Sequence, residues 1–142
     1  MNAYVDASAF VRILLLEPDA EAALACWRAA EEGYVSEIGY LEVRASLAAA
    51  RRSGRTWGPD AEHDHALANE LWEEVVEVTL DAAVMAEAVR VAVDRGLRTL
   101  DAIHLASALI VKGDEPLAFV SFDLRLRAAA AAEGFVVLPE AA

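Results

Sequence analysis

Short apolar runs alternate along the chain with longer segments in which apolar residues recur at helical spacing. A brief apolar run bounded by turn-forming residues is typical of a buried parallel strand. Strands that alternate with helices predict a parallel sheet with right-handed crossovers and with helices on both faces. The predicted strands are Ala3–Val5, Tyr34–Ser36, Val75–Leu80, Leu117–Phe122 and Phe135–Leu138.

The segments between these strands are predicted helices, and several end at glycine. The opening helix carries Phe10, Ile13 and Leu14 at helical spacing. Pro18 can begin the second helix and Gly33 is predicted to end it, because proline is favoured at a first helical position and glycine just beyond the last. Residues 54–59 are predicted to form a loop. The second to seventh helices are predicted at 18–32, 38–53, 59–74, 81–95, 99–112 and 123–133.

The composition is that of a globular chain with a sizeable core, since 57% of the 142 residues are hydrophobic and 25% are charged. That length predicts one domain, residues 1–142. No apolar run approaches the roughly 20 residues that span a bilayer, and the N-terminus lacks a signal-peptide pattern. Cys26 is the only cysteine, which excludes an intrachain disulfide. These features predict a cytoplasmic protein without membrane association.

The net charge of −12 argues against a protein that simply wraps nucleic acid, since that normally requires a basic face. It does not exclude chemistry on nucleic acid, because divalent cations in an acidic pocket can face phosphates while arginines hold the backbone. The basic residues are eleven arginines and Lys112. Arginine suits bidentate phosphate contacts, but the clusters at 51–55 and 125–127 are predicted to be solvated surface.

Four carboxylates, each a lone acid in an otherwise apolar stretch, are the candidate functional residues. Burying an isolated carboxylate is costly unless it is paired, hydrogen-bonded or metal-bound. Two follow strands and two lie near helix starts, so all four converge if the first and fourth strands are neighbours where the strand order reverses. Oxygen ligands suit magnesium or manganese rather than zinc. The four are Asp6, Glu42, Asp101 and Asp123.

Each acid also has a simpler local interpretation. Asp6 and Asp123 stand where a helix N-cap is expected, and capping alone would explain either residue. Asp101 could complement the dipole of a helix that is capped by Thr99. Glu42 lies on a helix face of apolar or small residues, and a site ligand is the favoured interpretation there.

Four segments together resemble the PIN-domain ribonucleases, specifically the VapC-type toxins of toxin–antitoxin pairs. The resemblance covers almost the whole chain and implies a Rossmann-like three-layer α/β/α sandwich with a five-stranded parallel sheet. It also implies an endoribonuclease that depends on Mg²⁺ or Mn²⁺, forms homodimers and is inhibited by a cognate antitoxin bound near the acids. The segments are YVDASAFVRILLLEP, YLEVRASLAAARR, LRTLDAIHLASAL and FVSFDLRLRAAAAAEGF.

The resemblance also implies roles for individual residues. The four acids match the family's metal cluster, while Ser8 and Ser121 match its hydroxyl positions beside the first and last acids; Ser121 replaces what is often threonine. We hypothesise that Asp6 and Asp101 bind the metal directly, that Glu42 and Asp123 bind it directly or through water, and that Ser8 orients them. A metal-activated water would then attack the phosphate in line. The resemblance implies products with 5′-phosphate and 3′-hydroxyl ends.

Arg12 and His104 each lie one turn from a candidate site residue, Ser8 and Asp101 respectively. Arg12 could reach a substrate phosphate, although a surface salt bridge is the favoured interpretation. His104 could support the acids, although a packed core histidine is favoured.

The remaining aromatic and histidine candidates have structural interpretations. His63 and His65 are two residues apart on a polar helix start, so they point to different faces and are predicted to be solvated. Trp57 and Trp72 could stack on RNA bases, but packing in the core or against a partner is favoured. Residues 54–74 match no specific motif.

The main alternative function is a signalling module with an acidic pocket, such as a phospho-accepting receiver domain on a similar sheet. That function needs a lysine at a strand end near the phosphorylated acid, whereas Lys112 lies at a helix end. Paired acids after the first strand are also missing. A catalytically silent binding module with the same fold is not separated from a nuclease by the sequence.

Overall fold

The computed structural model describes residues 1–140, which form an α/β/α sandwich around a five-stranded parallel sheet. The strands are β1 (Ala3–Val5), β2 (Gly33–Ser36), β3 (Val75–Val78), β4 (Ala118–Val120) and β5 (Val136–Leu138). The helices are α1 (Ala7–Leu14), α2 (Ala20–Ala29), α3 (Ile38–Arg52), α4 (Ala61–Trp72), α5 (Ala82–Arg95), α6 (Thr99–Lys112) and α7 (Leu124–Ala132). The predicted fold class and element order are confirmed.

The sheet separates two hydrophobic cores, because alternate residues of each strand face opposite sides. Ala3 and Val5 of β1 pack with α1, α2, α3 and α4 on one face. Tyr4, between them, packs with Phe119 of β4 and with α5, α6 and α7 on the other. Tyr4 and Phe119 are stacked with ring centroids 5.5 Å apart. Both faces of the central strands are therefore buried, as their uninterrupted apolar sequences predict.

The strand order is β3-β2-β1-β4-β5, so the direction of winding reverses between β1 and β4. Tyr4 of β1 pairs with Tyr34 of β2 on one side and with Phe119 of β4 on the other. The prediction that the first and fourth strands are neighbours in the sheet is confirmed. A crevice opens beyond the carboxyl ends of strands at such a reversal, and ligands bind there in open α/β sheets.

Gly33 does not end the second helix, which stops at Ala29; it is the first residue of β2. A Cβ at position 33 would lie 1.9 Å from Cζ3 of Trp27. The glycine is therefore required by close packing of the indole against the strand, and the prediction of a helix-ending glycine was wrong. Gly54 and Gly96, with φ of 74° and 65°, do follow α3 and α5 as predicted.

Other differences concern element ends. The third strand stops at Val78 rather than Leu80, whose backbone N–H donates to Oε1 of Glu37 (2.7 Å) instead of continuing the sheet. Thr99 is the first residue of α6, and Arg98 occupies the cap position without a side-chain cap, so the predicted Thr99 cap is wrong.

No helix among residues 1–140 is long and apolar enough to cross a membrane.

Candidate active site

All four candidate acids line one pocket of about 180 Å³ at the carboxyl ends of β1 and β4. The acids come from four separate parts of the chain: the residue after β1, the first half of α3, the first turn of α6 and the residue before α7. The sheet reversal is what brings these segments to the same crevice. The pocket is lined by Asp6, Ala7, Ser8, Val11, Glu42, Ser46, Asp101 and Asp123.

Asp6 is buried, and its carboxylate is held by two serine hydroxyls. Oδ2 accepts hydrogen bonds from Oγ of Ser8 (2.9 Å) and from Oγ of Ser121 (3.1 Å). The residue occupies the N-cap position of α1, yet its side chain makes no cap hydrogen bond. The alternative that Asp6 merely caps a helix is therefore wrong, and both predicted hydroxyl positions contact this acid.

Asp123 combines the two interpretations that the sequence left open. Its Oδ1 accepts from the backbone N–H of Leu126 (3.0 Å), so it caps α7. The same side chain lines the acidic pocket. Oγ of the fully buried Ser121 accepts from the N–H of Asp123 (3.2 Å) while donating to Asp6. One hydroxyl therefore links the acids that follow β1 and β4.

Asp101 carries a buried oxygen that accepts no hydrogen bond from residues 1–140. Its side chain is 18% exposed, and Oδ2 has no hydrogen-bond partner among the described residues; the nearest cation, Nε of Arg98, is 3.6 Å away. Burial and the charges of Asp123 and Asp6 raise the pKa of Asp101. An unsatisfied buried carboxylate beside two other acids is costly, and a bound cation would offset that cost.

Glu42 is joined to the core by His104. Oε1 of Glu42 lies 2.6 Å from Nε2 of His104, which is also 3.8 Å from Oδ1 of Asp6. On the other side of the ring, Nδ1 lies 2.6 Å from the hydroxyl of Tyr4. The favoured view of His104 as a core residue was incomplete, because this buried side chain contacts two of the acids.

The electrostatics of this buried group follow from the same contacts. Burial lowers the pKa of His104, but the hydrogen bond to Glu42 and the charge of Asp6 outweigh it, so that the net pKa lies above the ordinary value. For the Tyr4 hydroxyl burial acts in the opposite direction, because its charged form is the anion, and the pKa lies well above the ordinary value. The sequence feature that could have indicated the role of His104 is its position as a lone histidine in an otherwise apolar helix, one turn after Asp101.

Arg12 forms the favoured salt bridge and also borders the site. Its Nε donates to Oδ2 of Asp19 (2.7 Å), Nη1 donates to the carbonyl of Ser8 (3.3 Å), and the guanidinium lies 4.8 Å from the centre of the Phe122 ring. Val11 lines both the acidic pocket and the adjacent cleft that contains Arg12 and Asp19. A phosphate in that cleft would therefore be beside the acids.

His63 is not solvated as predicted, because its Nε2 is buried and has no hydrogen-bond partner among residues 1–140. Its ring lies edge-on to Trp57, with centroids 5.1 Å apart. Trp57 donates its indole N–H to the carbonyl of Leu14 (2.8 Å), while Trp72 packs edge-on against Tyr40. Trp72 is packed within the protein as predicted, whereas Trp57 is 51% exposed despite these contacts.

Two arginines in the clusters that were predicted to be solvated have structural contacts. Arg51 binds both carboxylate oxygens of Asp64, at 2.6 and 3.0 Å, and donates to the carbonyl of Gly58. Arg127 donates to the carbonyls of Ser121 and Pro139. The prediction of solvated surface was wrong for these two residues.

The donor set fits a hard divalent cation, since all four acids supply oxygen and Oδ2 of Asp101 accepts no hydrogen bond from residues 1–140. No three histidine, cysteine, aspartate or glutamate side chains of residues 1–140 are already arranged to hold a metal ion. Serine and histidine contacts occupy one oxygen each of Asp6 and Glu42. Binding would therefore require the acids to draw together around the cation.

Comparison with known proteins gives concordant matches over nearly the whole chain. The sequence model of the PIN domain matches residues 3–132. Two Mycobacterium tuberculosis proteins, Ribonuclease VapC45 and Ribonuclease VapC49, are each 40% identical over 139 residues, covering 96% of this chain and 94% of the relative. A solved toxin-antitoxin complex from Klebsiella pneumoniae contains a chain of the same fold, with a TM-score of 0.69, 17% identity and 97% of both chains covered.

Proposed function

The chain belongs to the PIN-domain family and to its VapC group, and on that premise we propose that it is a divalent-metal-dependent endoribonuclease toxin. The two relatives that share 40% identity are named ribonucleases, which supports RNA as the substrate. The proposed cofactor is Mg²⁺ or Mn²⁺, and the proposed location is the cytoplasm. The alternative of a silent binding module makes no use of the acidic pocket.

One observation carries this proposal: four carboxylates from distant segments share a pocket in which Asp101 keeps an unsatisfied buried oxygen. Such a set repels itself without a cation and suits one with oxygen ligands. We assign Asp6 and Asp101 as direct ligands, and Glu42 and Asp123 as ligands directly or through water. When bound, the cation would polarise the scissile phosphate and lower the pKa of the attacking water.

The chain's own residues hold and orient these groups. Ser8 and Ser121 fix one oxygen of Asp6, so its other oxygen is available to the pocket. The cap bond from Leu126 fixes Asp123 in the same way. Carboxylates whose orientation is already restricted lose less side-chain entropy when the acids draw together around the cation.

Arg12 is the proposed contact for a substrate phosphate. The cleft that contains Arg12 adjoins the acidic pocket through Val11, and a planar guanidinium can bind a phosphate with two hydrogen bonds. A phosphate would compete with Asp19 for the guanidinium. Because the chain carries a net charge of −12, we expect RNA binding to depend on a few such contacts and on the cation.

We further propose a cognate antitoxin and a homodimer, on the strength of the VapC group. A small open reading frame directly upstream of the gene is the expected source of the antitoxin. Co-expression of the antitoxin should relieve the growth arrest caused by the toxin. The antitoxin should also copurify with the toxin. A growth arrest that persists despite co-expression would contradict this part of the proposal.

The geometry disfavours the receiver-domain alternative. Such a domain needs a lysine beside the acidic pocket, and Lys112 is the last residue of α6, whereas Asp101 lies in its first turn. The two are about 16 Å apart along the helix axis. The only lysine of the chain therefore cannot reach a phosphate held by the acids.

Cleavage mapping tests the function. Wild-type protein with MgCl₂ should cut RNA at discrete positions and leave 5′-phosphate and 3′-hydroxyl ends, and EDTA should stop the reaction. Asp6→Asn should reduce cleavage at least about 100-fold, since it removes a charge at the reacting centre. Asp114→Asn, a substitution at an exposed acid outside the pocket, is the matched control. Undiminished cleavage by folded Asp6→Asn would remove Asp6 from the mechanism.

A further inference from the structure

A buried line of hydrogen bonds runs from the middle of the sheet to the acidic pocket. The backbone N–H of Ser36 donates to Oη of Tyr4 (2.9 Å), which lies 2.6 Å from Nδ1 of His104. Nε2 of His104 lies 2.6 Å from Oε1 of Glu42. Tyr4 and His104 are at most 1% exposed, whereas the Glu42 side chain is 24% exposed. The line therefore joins the buried interior to a partly exposed acid.

The chemistry of the partners determines which ring nitrogen donates to Glu42. Oη of Tyr4 already accepts the Ser36 N–H, so its own proton can be donated to Nδ1. A neutral imidazole that accepts at Nδ1 carries its proton on Nε2. An imidazolium carries protons on both nitrogens. In either state Nε2 donates to Glu42. A neutral ring with its proton on Nδ1 would instead turn the lone pair of Nε2 toward Oε1 of Glu42, so that two acceptors would face each other.

We propose that His104 is a positioning residue for the metal site: through Nε2 it fixes one oxygen of Glu42, with its own ring orientation set by Tyr4. The second oxygen of Glu42 is then presented to the pocket at little cost in side-chain entropy. Nε2 also lies 3.8 Å from Oδ1 of Asp6, so a proton donor stands between two mutually repelling acids. Hydrogen bonds to ligating side chains commonly tune metal affinity in this way.

This inference rests on the proposed function, because it needs a cation at the acids, and it differs from a packing role in a measurable way. If His104 only fills space, substitutions of similar volume affect stability and leave metal affinity unchanged. If it positions Glu42, metal affinity follows the presence of a donor at the place of Nε2. His104→Gln can present an amide N–H there, whereas His104→Leu keeps apolar volume and has no donor.

The test is Mn²⁺ binding by calorimetry at pH 7.5, without RNA, on wild type, His104→Gln, His104→Leu and Tyr4→Phe. Thermal unfolding in EDTA identifies the variants that are folded. We expect His104→Leu to bind Mn²⁺ about 10-fold or more weakly, and His104→Gln to stay within about threefold of wild type. Tyr4→Phe should weaken binding in the wild-type background and have no further effect in the His104→Leu background.

A second readout keeps the inference testable if His104→Leu does not fold. The chain has three histidines, so ¹⁵N-histidine spectra of wild type and His104→Gln assign His104, whose Nε2 should be protonated. Unprotonated Nε2, or equal Mn²⁺ affinity in wild type, His104→Leu and Tyr4→Phe, would overturn the positioning role while leaving the metal site intact. Failure of wild type to bind Mn²⁺ at all would instead overturn the proposed site and this role together.

Discussion

Oγ of Ser121 lies 3.1 Å from Oδ2 of Asp6, although the two residues are 115 positions apart in the chain. Ser121 follows β4 and Asp6 follows β1, so the contact depends on the pairing of these two strands at the sheet reversal. Ser121 also accepts the backbone N–H of Asp123. The orientation of two acids in the pocket is therefore set by the sheet itself, through one buried hydroxyl.

The charge of Asp101 should destabilise the metal-free protein. We expect Asp101→Asn to raise the Tm in EDTA, because burial and the nearby charges of Asp6 and Asp123 oppose its ionisation. Mg²⁺ at 100 times its Kd stabilises a folded protein by about 2.7 kcal/mol, and tenfold weaker binding at the same Mg²⁺ concentration leaves about 1.4 kcal/mol of that. The Mg²⁺-dependent rise in Tm should therefore be smaller in Asp101→Asn, measured by calorimetry with Asp114→Asn as control. A lower Tm in EDTA together with an undiminished Mg²⁺ effect would contradict this.

Arg12 should contribute to RNA binding rather than to cleavage. In the inactive Asp6→Asn background, Arg12→Gln should weaken RNA binding several-fold and reduce the slope of log K against log salt by about 0.7, as expected for one lost phosphate contact on a single strand. Asp19→Asn is the matched variant, because it keeps Arg12 and removes the carboxylate charge with which a phosphate would compete. It should bind RNA at least as tightly as the background. Equal affinity of Arg12→Gln and the background would exclude the contact.

The Arg51–Asp64 pair should make stability depend on pH. The hydrogen bond from Arg51 lowers the pKa of Asp64 below its ordinary value of 3.8. A lowered folded-state pKa contributes stability above pH 3.8 that is lost as the pH falls through the folded value. Asp64→Asn should therefore reduce the urea midpoint at pH 7, and the difference from wild type should vanish at strongly acidic pH. Glu62→Gln, an exposed change on the same helix, is the control, and its difference in urea midpoint from wild type should not depend on pH in this way. A lower urea midpoint of Asp64→Asn that stays constant with pH would argue against the ion pair.

Close packing of Trp27 on Gly33 should make position 33 intolerant of a side chain. Gly33→Ala places a Cβ 1.9 Å from Cζ3 of the indole, and we expect it to reduce the free energy of unfolding by about 1–3 kcal/mol. Trp27→Phe lacks the atoms that clash. In the double variant, Gly33→Ala with Trp27→Phe, the loss in free energy of unfolding should therefore be smaller than the sum of the losses in the two single variants, as measured by urea unfolding. Strict additivity would show that the indole does not exclude the Cβ.

The sequence predicted most of the fold because the signals were local. The apolar run at Ala3–Val5 and the helical spacing that follows it are properties of neighbouring residues, and the structure has both elements there. Gly33 was misassigned because its role depends on the indole of Trp27, which reaches it only after α2 packs on the sheet. Leu80 was misassigned for a similar reason, since a contact with Glu37 takes it out of the strand.

The site was predictable as a set of residues but not as a network. An acid directly after a strand, such as Asp6, can be placed by the rule that ligands bind beyond strand ends. The contact between Glu42 and His104 joins residues 62 positions apart and depends on how α3 and α6 approach each other. The edge-on contact between His63 and Trp57 also requires the loop conformation. No periodicity in the sequence encodes either contact.

We propose that the acids at 6, 42, 101 and 123 together hold one divalent cation. The most direct measurement is anomalous diffraction from crystals grown with MnCl₂. We expect a manganese peak in the acidic pocket, within about 2.6 Å of carboxylate oxygens of Asp6 and Asp101. A manganese peak elsewhere on the protein, with none between these carboxylates, would contradict it.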